Sequence, residues 1–274
     1  MATRAETYPV RSDVQSDELL LPAFTLWWRE VVRFYRQRAR VVGVIASPVL
    51  FWLVIGSGFG RSFSSGGGTS QHYLDYFYPG ALIMIVLFTS IFTMMSVIED
   101  RKEGFLLSVL VAPVSRSAIV LGKVLGGTTL ATIQGLIFLV FAPFVGIHLG
   151  LMVFVMAAII VFLVSFALTA LGFAIAWPMD STQAFHAIIN LFLIPLWLLS
   201  GALFPLSSAS SWLRMLMEIN PLTYGVEALR SALYPANPGE FSLIASMATL
   251  ILFSLVMFGI AFLMVNRRTT KPAA

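Results

Sequence analysis

The sequence predicts an all-α polytopic membrane protein with six transmembrane helices, and three observations predict it. Hydrophobic residues make up 58% of the chain and charged residues only 11%, with a mean hydropathy of +0.90, well outside the range of a soluble globular domain. Six charge-poor runs, at about 41–60, 79–97, 119–145, 151–176, 184–204 and 241–265, each reach the ~20 residues that a hydrocarbon core requires. Lysine and arginine are segregated. An even number of spans puts both termini on one side, and that side, with loops 98–118 and 177–183, holds 14 of the 17. Basic loops stay in the cytoplasm, so both termini are expected there.

Residues 1–22 read as a polar tail without an apolar core leading to a small-residue cleavage site, so no cleaved signal peptide is expected. Residues 23–274 read as a single membrane domain, with no room for an ATPase domain of about 150 residues beside the spans. The net charge of +4 is explained by membrane orientation and not by nucleic acid. The absence of cysteine excludes disulfides, thiolate metal sites and cysteine nucleophiles.

The first element is an amphipathic helix over 24–40. At 100° per residue Phe24, Trp28, Val31, Val32 and Tyr35 share one arc, and Arg29, Arg33, Arg36 and Arg40 share the opposite one. Its Trp-Arg composition beside a span places it in the cytoplasmic membrane interface.

After the second span come five consecutive charges, Glu99, Asp100, Arg101, Lys102 and Glu103. At about 2.5 to 3.5 kcal/mol per charge at the bilayer centre the span must end there, and these residues are expected in water. Residues 104–110 form a short apolar helix, broken by Pro113 and Ser115 before the third span. Taken alone, it reads as a turn whose Phe105, Leu106, Val109 and Leu110 rest on the membrane surface.

Within the spans Lys123 is the only basic residue, one turn into the third, and is expected to reach back to the interface. Gly122 and Gly126, four apart, permit close helix approach. Pro48, Pro143 and Pro195 should bend or break their helices. Most serine and threonine residues in the spans are expected to bond to the preceding turn. Thr132, Gln134 and Asn190 are candidates for a translocation path, although helix packing explains an intramembrane amide equally well. No phosphate loop, HExxH pair, inward carboxylate pair or nucleophile with a base occurs, so no catalytic, cofactor or metal site is expected and nucleotide must be handled by another chain. Gly66, Gly67 and Gly68 form a flexible outer linker.

Between spans five and six, residues 204–240 carry two short helices. The first follows a cap at Ser210 or Ser211, Asn220-Pro221 ends it, and the second covers 222–233. They are either an amphipathic hairpin at the outer surface or a re-entrant pair. Glu227 and Arg230, three apart, are placed to pair.

Asp100, Arg101, Gly104, Phe105, Leu110, Ala112-Pro113, Ser115-Arg116 and Leu121-Gly122-Lys123, with Asn220-Pro221-Leu222-Thr223-Tyr224 and Glu227-Ala228-Leu229-Arg230 far downstream, resemble the membrane subunits of type-2 ABC exporters, in particular the drug-resistance permeases. The resemblance covers about the whole chain after residue 23. It implies a cytoplasmic coupling helix that meets an ABC ATPase through Glu99, Asp100, Arg101, Glu103, Gly104, Phe105, Leu107, Leu110, Pro113 and Arg116, flanked by Arg29 and Arg33 of the interfacial helix. It implies outer re-entrant helices forming a gate at Asn220, Pro221, Tyr224, Glu227 and Arg230. It further implies a dimer over two ATPase subunits that supply ATP and magnesium, in the cytoplasmic membrane of a prokaryote. An apolar, aromatic-rich interior suits a drug or lipid cargo, with a lipid-linked glycan as the alternative. A non-transporting receptor or assembly factor relaying ATPase state is the rival from another class. A proton-driven carrier is weakened by the lack of an acidic residue inside any predicted span.

Overall fold

The computed structural model describes residues 19–36, scattered positions within 42–58, and residues 73–112, 114–236 and 238–267. Pro113, the glycine linker, residues 1–18 and most of the expected first span lie outside the described residues. Everything described that is regular is helical, either α-helix or 3-10 helix.

The elements in order are α1 (Leu20–Arg36), α2 (Tyr73–Thr93), α3 (Met95–Lys102), α4 (Phe105–Val111), α5 (Arg116–Leu139), α6 (Leu151–Ala176), α7 (Thr182–Leu198), α8 (Ser211–Ile219), α9 (Pro221–Leu233) and α10 (Leu243–Asn266). Two 3-10 turns, Ala142–Val145 and Leu206–Ser208, join them. Among the described residues four helices are long and apolar enough to cross a membrane: Tyr73–Lys102, Arg116–Leu139, Leu151–Ala176 and Leu243–Asn266. Thr182–Leu198 is a shorter apolar helix. The third expected run ends six residues early, because Pro143 stands in the 3-10 turn and not inside the helix.

α2 is the central post. From Phe77 to Leu87 every residue is buried, against α5, α6 and α9. Phe77 meets Trp197 edge to face, and the Trp197 indole donates to Gly80 O at 2.9 Å. Trp52, from the expected first span, donates to Leu74 O and stands edge-on to Tyr78 and Phe138.

α5 reaches its neighbours closely because it presents glycine on two faces. A Cβ on Gly122 would stand 2.7 Å from Ala23 O and Leu26 Cβ of α1, and one on Gly126 2.8 Å from Glu30 Cβ. On another face a Cβ on Gly127 would meet Thr93 and Thr169, and one on Gly135 would meet Val161 and Val86. The close approach expected of Gly122 and Gly126 is therefore made, and its partner is α1. Thr89, Thr128, Thr129 and Thr169 bond to carbonyls four residues back, as expected of hydroxyls in spans.

α1 runs from Leu20 to Arg36, beginning four residues before the expected start; residues 37–40, with Arg40, lie outside the described residues. Neither arc of its predicted amphipathic pattern is the face packed on the protein. That face is a third arc of Ala23, Leu26, Glu30 and Phe34, and it is the glycines of α5 that admit it.

Candidate coupling site

The charged run after α2 does not leave the fold as expected. The helix breaks its pattern at Met94 and resumes as α3, which carries Glu99 to Lys102. Asp100 is 0% exposed, and Lys123, expected to reach for water, is 1% exposed. Both are corrections with one cause: each is the other's counter-ion, so neither charge needs water.

The network is built from three helices. Asp100 accepts two bonds from Arg29 of α1, at 2.7 and 2.8 Å, and one from Arg33 at 2.8 Å. Lys123 of α5 donates to Asp100, to Glu30 Oε1 at 2.6 Å and to Ser96 Oγ at 3.1 Å. Ser96 donates in turn to Glu30 Oε2 at 2.7 Å. Arg33 also holds Glu99 at 2.8 Å and lies 3.6 Å from Glu103. The hydrogen bond to Asp100 raises the Arg29 pKa above its ordinary value against the opposing effect of burial.

α4 stands on this network. Gly104 turns the chain in a left-handed conformation, φ +77°, which glycine adopts without the steric cost that a Cβ brings. Arg29 lies over the Phe105 ring at 3.7 Å. Leu106 is buried with Leu26 and Ile119, and Phe105, Val109 and Leu110 pack around them. That leaves Leu107 and Val111 on the open side, 62% and 85% exposed. Arg101 reaches the turn between α6 and α7, donating to Met179 O and Asp180 and to Trp177 O. Arg116 is exposed at the start of α5.

The structure thus brings together Arg29, Arg33, Glu99, Asp100, Glu103, Gly104, Phe105 and Leu110. Sequence reasoning missed Glu30 and Ser96 and misplaced Lys123. The available signal was Lys123 itself, since a lone cation inside a span calls for a carboxylate partner, and Glu30 is the charge on α1 that belongs to neither arc.

The residues expected to form the outer gate also converge. α9 is almost wholly buried, while α8 exposes Trp212, Met215, Leu216 and Ile219. Asn220 ends α8 and caps α9 by accepting from Leu222 N–H at 3.0 Å, with Pro221 at the first helical position. Neither Ser210 nor Ser211 makes a side-chain cap on α8; Ser210 occupies the cap position. Glu227 and Arg230 pair as their spacing suggests, and Arg230 also donates to Gly201 O at 3.1 Å and lies 4.3 Å over Tyr76. Glu227 accepts the Glu240 N–H, and the Glu240 carboxylate accepts Ser207 N–H at 2.7 Å. Tyr224 donates to Glu218 O at 2.8 Å.

The three path candidates lie apart. Gln134 is buried against Thr89 at 2.5 Å. The Thr89 hydroxyl donates towards the Gln134 side-chain oxygen and also stands 2.8 Å from Ile85 O, with one proton for the two acceptors. Thr132 lies on α5 with a hydroxyl that has no partner among the described residues. Asn190 sits on the open face of α7, between Ile188 and Leu191.

Residues 23–234 match the sequence profile of the ABC-2 type transporter family. A protein of Cyanophora paradoxa provisionally named transport permease ycf38 is 29% identical over 260 residues, 90% of each chain. The inner membrane transport permease YadH of Escherichia coli is 24% identical over 250 residues, 89% of this chain and 94% of its own. The daunorubicin resistance ABC transporter permease protein DrrB1 of Streptomyces coeruleorubidus is 23% identical over 217 residues, 76% of this chain and 73% of its own. With the family matched across most of its length, this chain belongs to the ABC-2 type transporters, as their membrane permease subunit.

Proposed function

We propose that the chain is the membrane half of an exporter that moves a hydrophobic or amphipathic compound, a drug or a lipid, out across the cytoplasmic membrane of a prokaryote. It works as a dimer over two ATPase subunits, which bind the ATP and magnesium, with both termini in the cytoplasm. The observation that carries this reading is Asp100, fully buried and held by Arg29, Arg33 and Lys123. Through it the base of α4 is fixed to α1 and α5 together. A partner can bias the permease only by contacting its states differently, and a push on the open side of α4, at Leu107 and Val111, reaches two helices through ion pairs instead of being lost in a loose loop.

The dimer reading is supported by α7. Its buried stripe of Phe185, Ile189, Leu193 and Trp197 faces the fold, while Asn190 and the apolar residues beside it are exposed. An amide facing hydrocarbon is costly, and a second copy across this face supplies a partner and a cargo path between subunits. The outer helices, with α9 buried and α8 open, suit a gate in which α8 is the moving part. The relative named for daunorubicin resistance favours a drug-like cargo.

The test is co-purification of the tagged chain from its native membrane in mild detergent, followed by cargo-stimulated ATP hydrolysis of the Leu107→Glu variant. A stoichiometric ABC ATPase in the wild-type preparation, and at least a ten-fold loss of stimulation in a variant that still assembles as a permease, is expected. A chain that purifies without an ATPase, or a variant with full stimulation, overturns the reading.

A further inference from the structure

α1 divides its surface between two environments. Ala23, Leu26, Glu30 and Phe34 face the fold, and Glu30 enters the ion network there. On the other side Leu21, Phe24, Trp28 and Tyr35 are all exposed, an apolar stripe that water does not favour. Beside the stripe lies a cleft of about 420 Å³ lined by Trp28, Val32, Arg29, Arg33 and Arg36. Two of these residues are apolar or aromatic and three are guanidinium groups. Arg29 and Arg33 are each about a quarter to a third exposed. A guanidinium has five N–H donors, and among the described residues the bonds to acidic side chains use only some of them. Arg36 is exposed at the end of the helix. Towards the helix start a second cleft, about 270 Å³, is lined by Leu20, Ala23, Phe24, Trp27, Leu121 and Leu125. Its one polar group, the Trp27 indole N–H, is already given to Thr129 at 3.0 Å.

We infer that this face of α1 is a binding site for an anionic phospholipid. The phosphate headgroup is held by Arg36 and the outward N–H groups of Arg29 and Arg33, and the acyl chains lie along Trp28 and Phe24 into the apolar cleft against Leu121 and Leu125. Three cations select an anionic headgroup over a zwitterionic one. The adjoining aromatic stripe and apolar cleft select a lipid over a soluble phosphate, which has nothing to offer them. The opposite faces of the same helix are linked by shared side chains, because Arg29 and Arg33 hold Asp100 and Glu99 as well. Headgroup binding therefore draws on the same arginines that fix α4. The inference requires only that the chain resides in a membrane, and it stands or falls separately from the export reading.

The test is tryptophan quenching of the full chain in phosphatidylcholine vesicles containing a minor fraction of brominated phosphatidylglycerol, compared with the same fraction of brominated phosphatidylcholine. Stronger quenching by the glycerol lipid is expected, with the excess lost in Trp28→Phe. Arg36→Gln, at an exposed position outside the ion network, is expected to weaken the apparent affinity for the glycerol lipid about five-fold, the share of one basic residue near an anionic surface. Equal quenching by the two lipids, an excess that survives Trp28→Phe, an unaltered affinity in Arg36→Gln, or loss of the excess on adding inorganic phosphate would each overturn the assignment.

Discussion

Asp100→Asn removes a charge from the centre of the buried ion network while leaving its volume. The carboxylate is 0% exposed and takes bonds from Arg29, Arg33 and Lys123. In its absence Arg29 and Arg33, both partly exposed, recover water, and their pairs count at the surface value of about 0–1 kcal/mol each. Lys123 is different. At 1% exposed it has no water to recover, and it keeps only Glu30 as counter-ion. Removing one partner of a buried pair costs about 3–5 kcal/mol, and because Glu30 remains, the expected loss for Asp100→Asn is about 3 kcal/mol, the lower end of that range. Lys123→Met should cost a similar amount, because Asp100 keeps Arg29 and Arg33 but the buried Glu30 is left with Arg29 at 3.5 Å as its remaining counter-ion. The double variant removes both halves of the pair, so its cost should fall short of the sum by about 2 kcal/mol. The measurement is equilibrium unfolding of the purified chain in mixed micelles, with a denaturing detergent as titrant and tryptophan fluorescence as signal. Single variants within about 0.5 kcal/mol of wild type, the range of ordinary surface substitutions, with strict additivity in the double, would refute the argument that this network is a buried, interdependent unit.

Two glycines give sharper steric tests. Gly122→Val places a Cβ 2.7 Å from the Ala23 backbone carbonyl, which cannot step aside, so α1 must lift from α5; a loss of about 1–3 kcal/mol is expected, against a near-neutral Gly150→Ala control with nothing within 4 Å. Gly239→Ala would set a Cβ 2.2 Å from Glu227 Oε2, breaking the contact between Glu227 and the Glu240 N–H. Limited proteolysis of the purified chain should then cut between α9 and α10 several-fold faster, and an unchanged rate would count against a tethering role for the Glu227–Glu240 contact.

Much of this protein was legible in its sequence, and the legible parts share a property. Apolar runs long enough to cross a bilayer, a short helix after the charged run, Asn220-Pro221 between two short helices and the pairing of Glu227 with Arg230 are all local: each depends on one contiguous stretch of the chain. The helical arcs of α1 were also read correctly as periodicity, but periodicity does not say which arc finds a protein neighbour. The face of Glu30 packs inward because Gly122 and Gly126, about ninety residues later in the chain, leave room for it.

The charges show the division most clearly. From the sequence, residues 99–103 had to stand in water, since no isolated charge survives in hydrocarbon. That premise holds, yet Asp100 and Lys123 are buried, because neither is isolated. Lys123 finds Glu30 at 93 positions' separation and Asp100 at 23. The cost of a charge in a low-dielectric interior is decided by its neighbours in space. The sequence alone therefore determined that long segments avoid water and that positive charge is segregated along the chain, two properties that add up residue by residue. Only the tertiary structure decided which charges meet, since Coulomb attraction falls with distance in space and takes no account of distance along the chain.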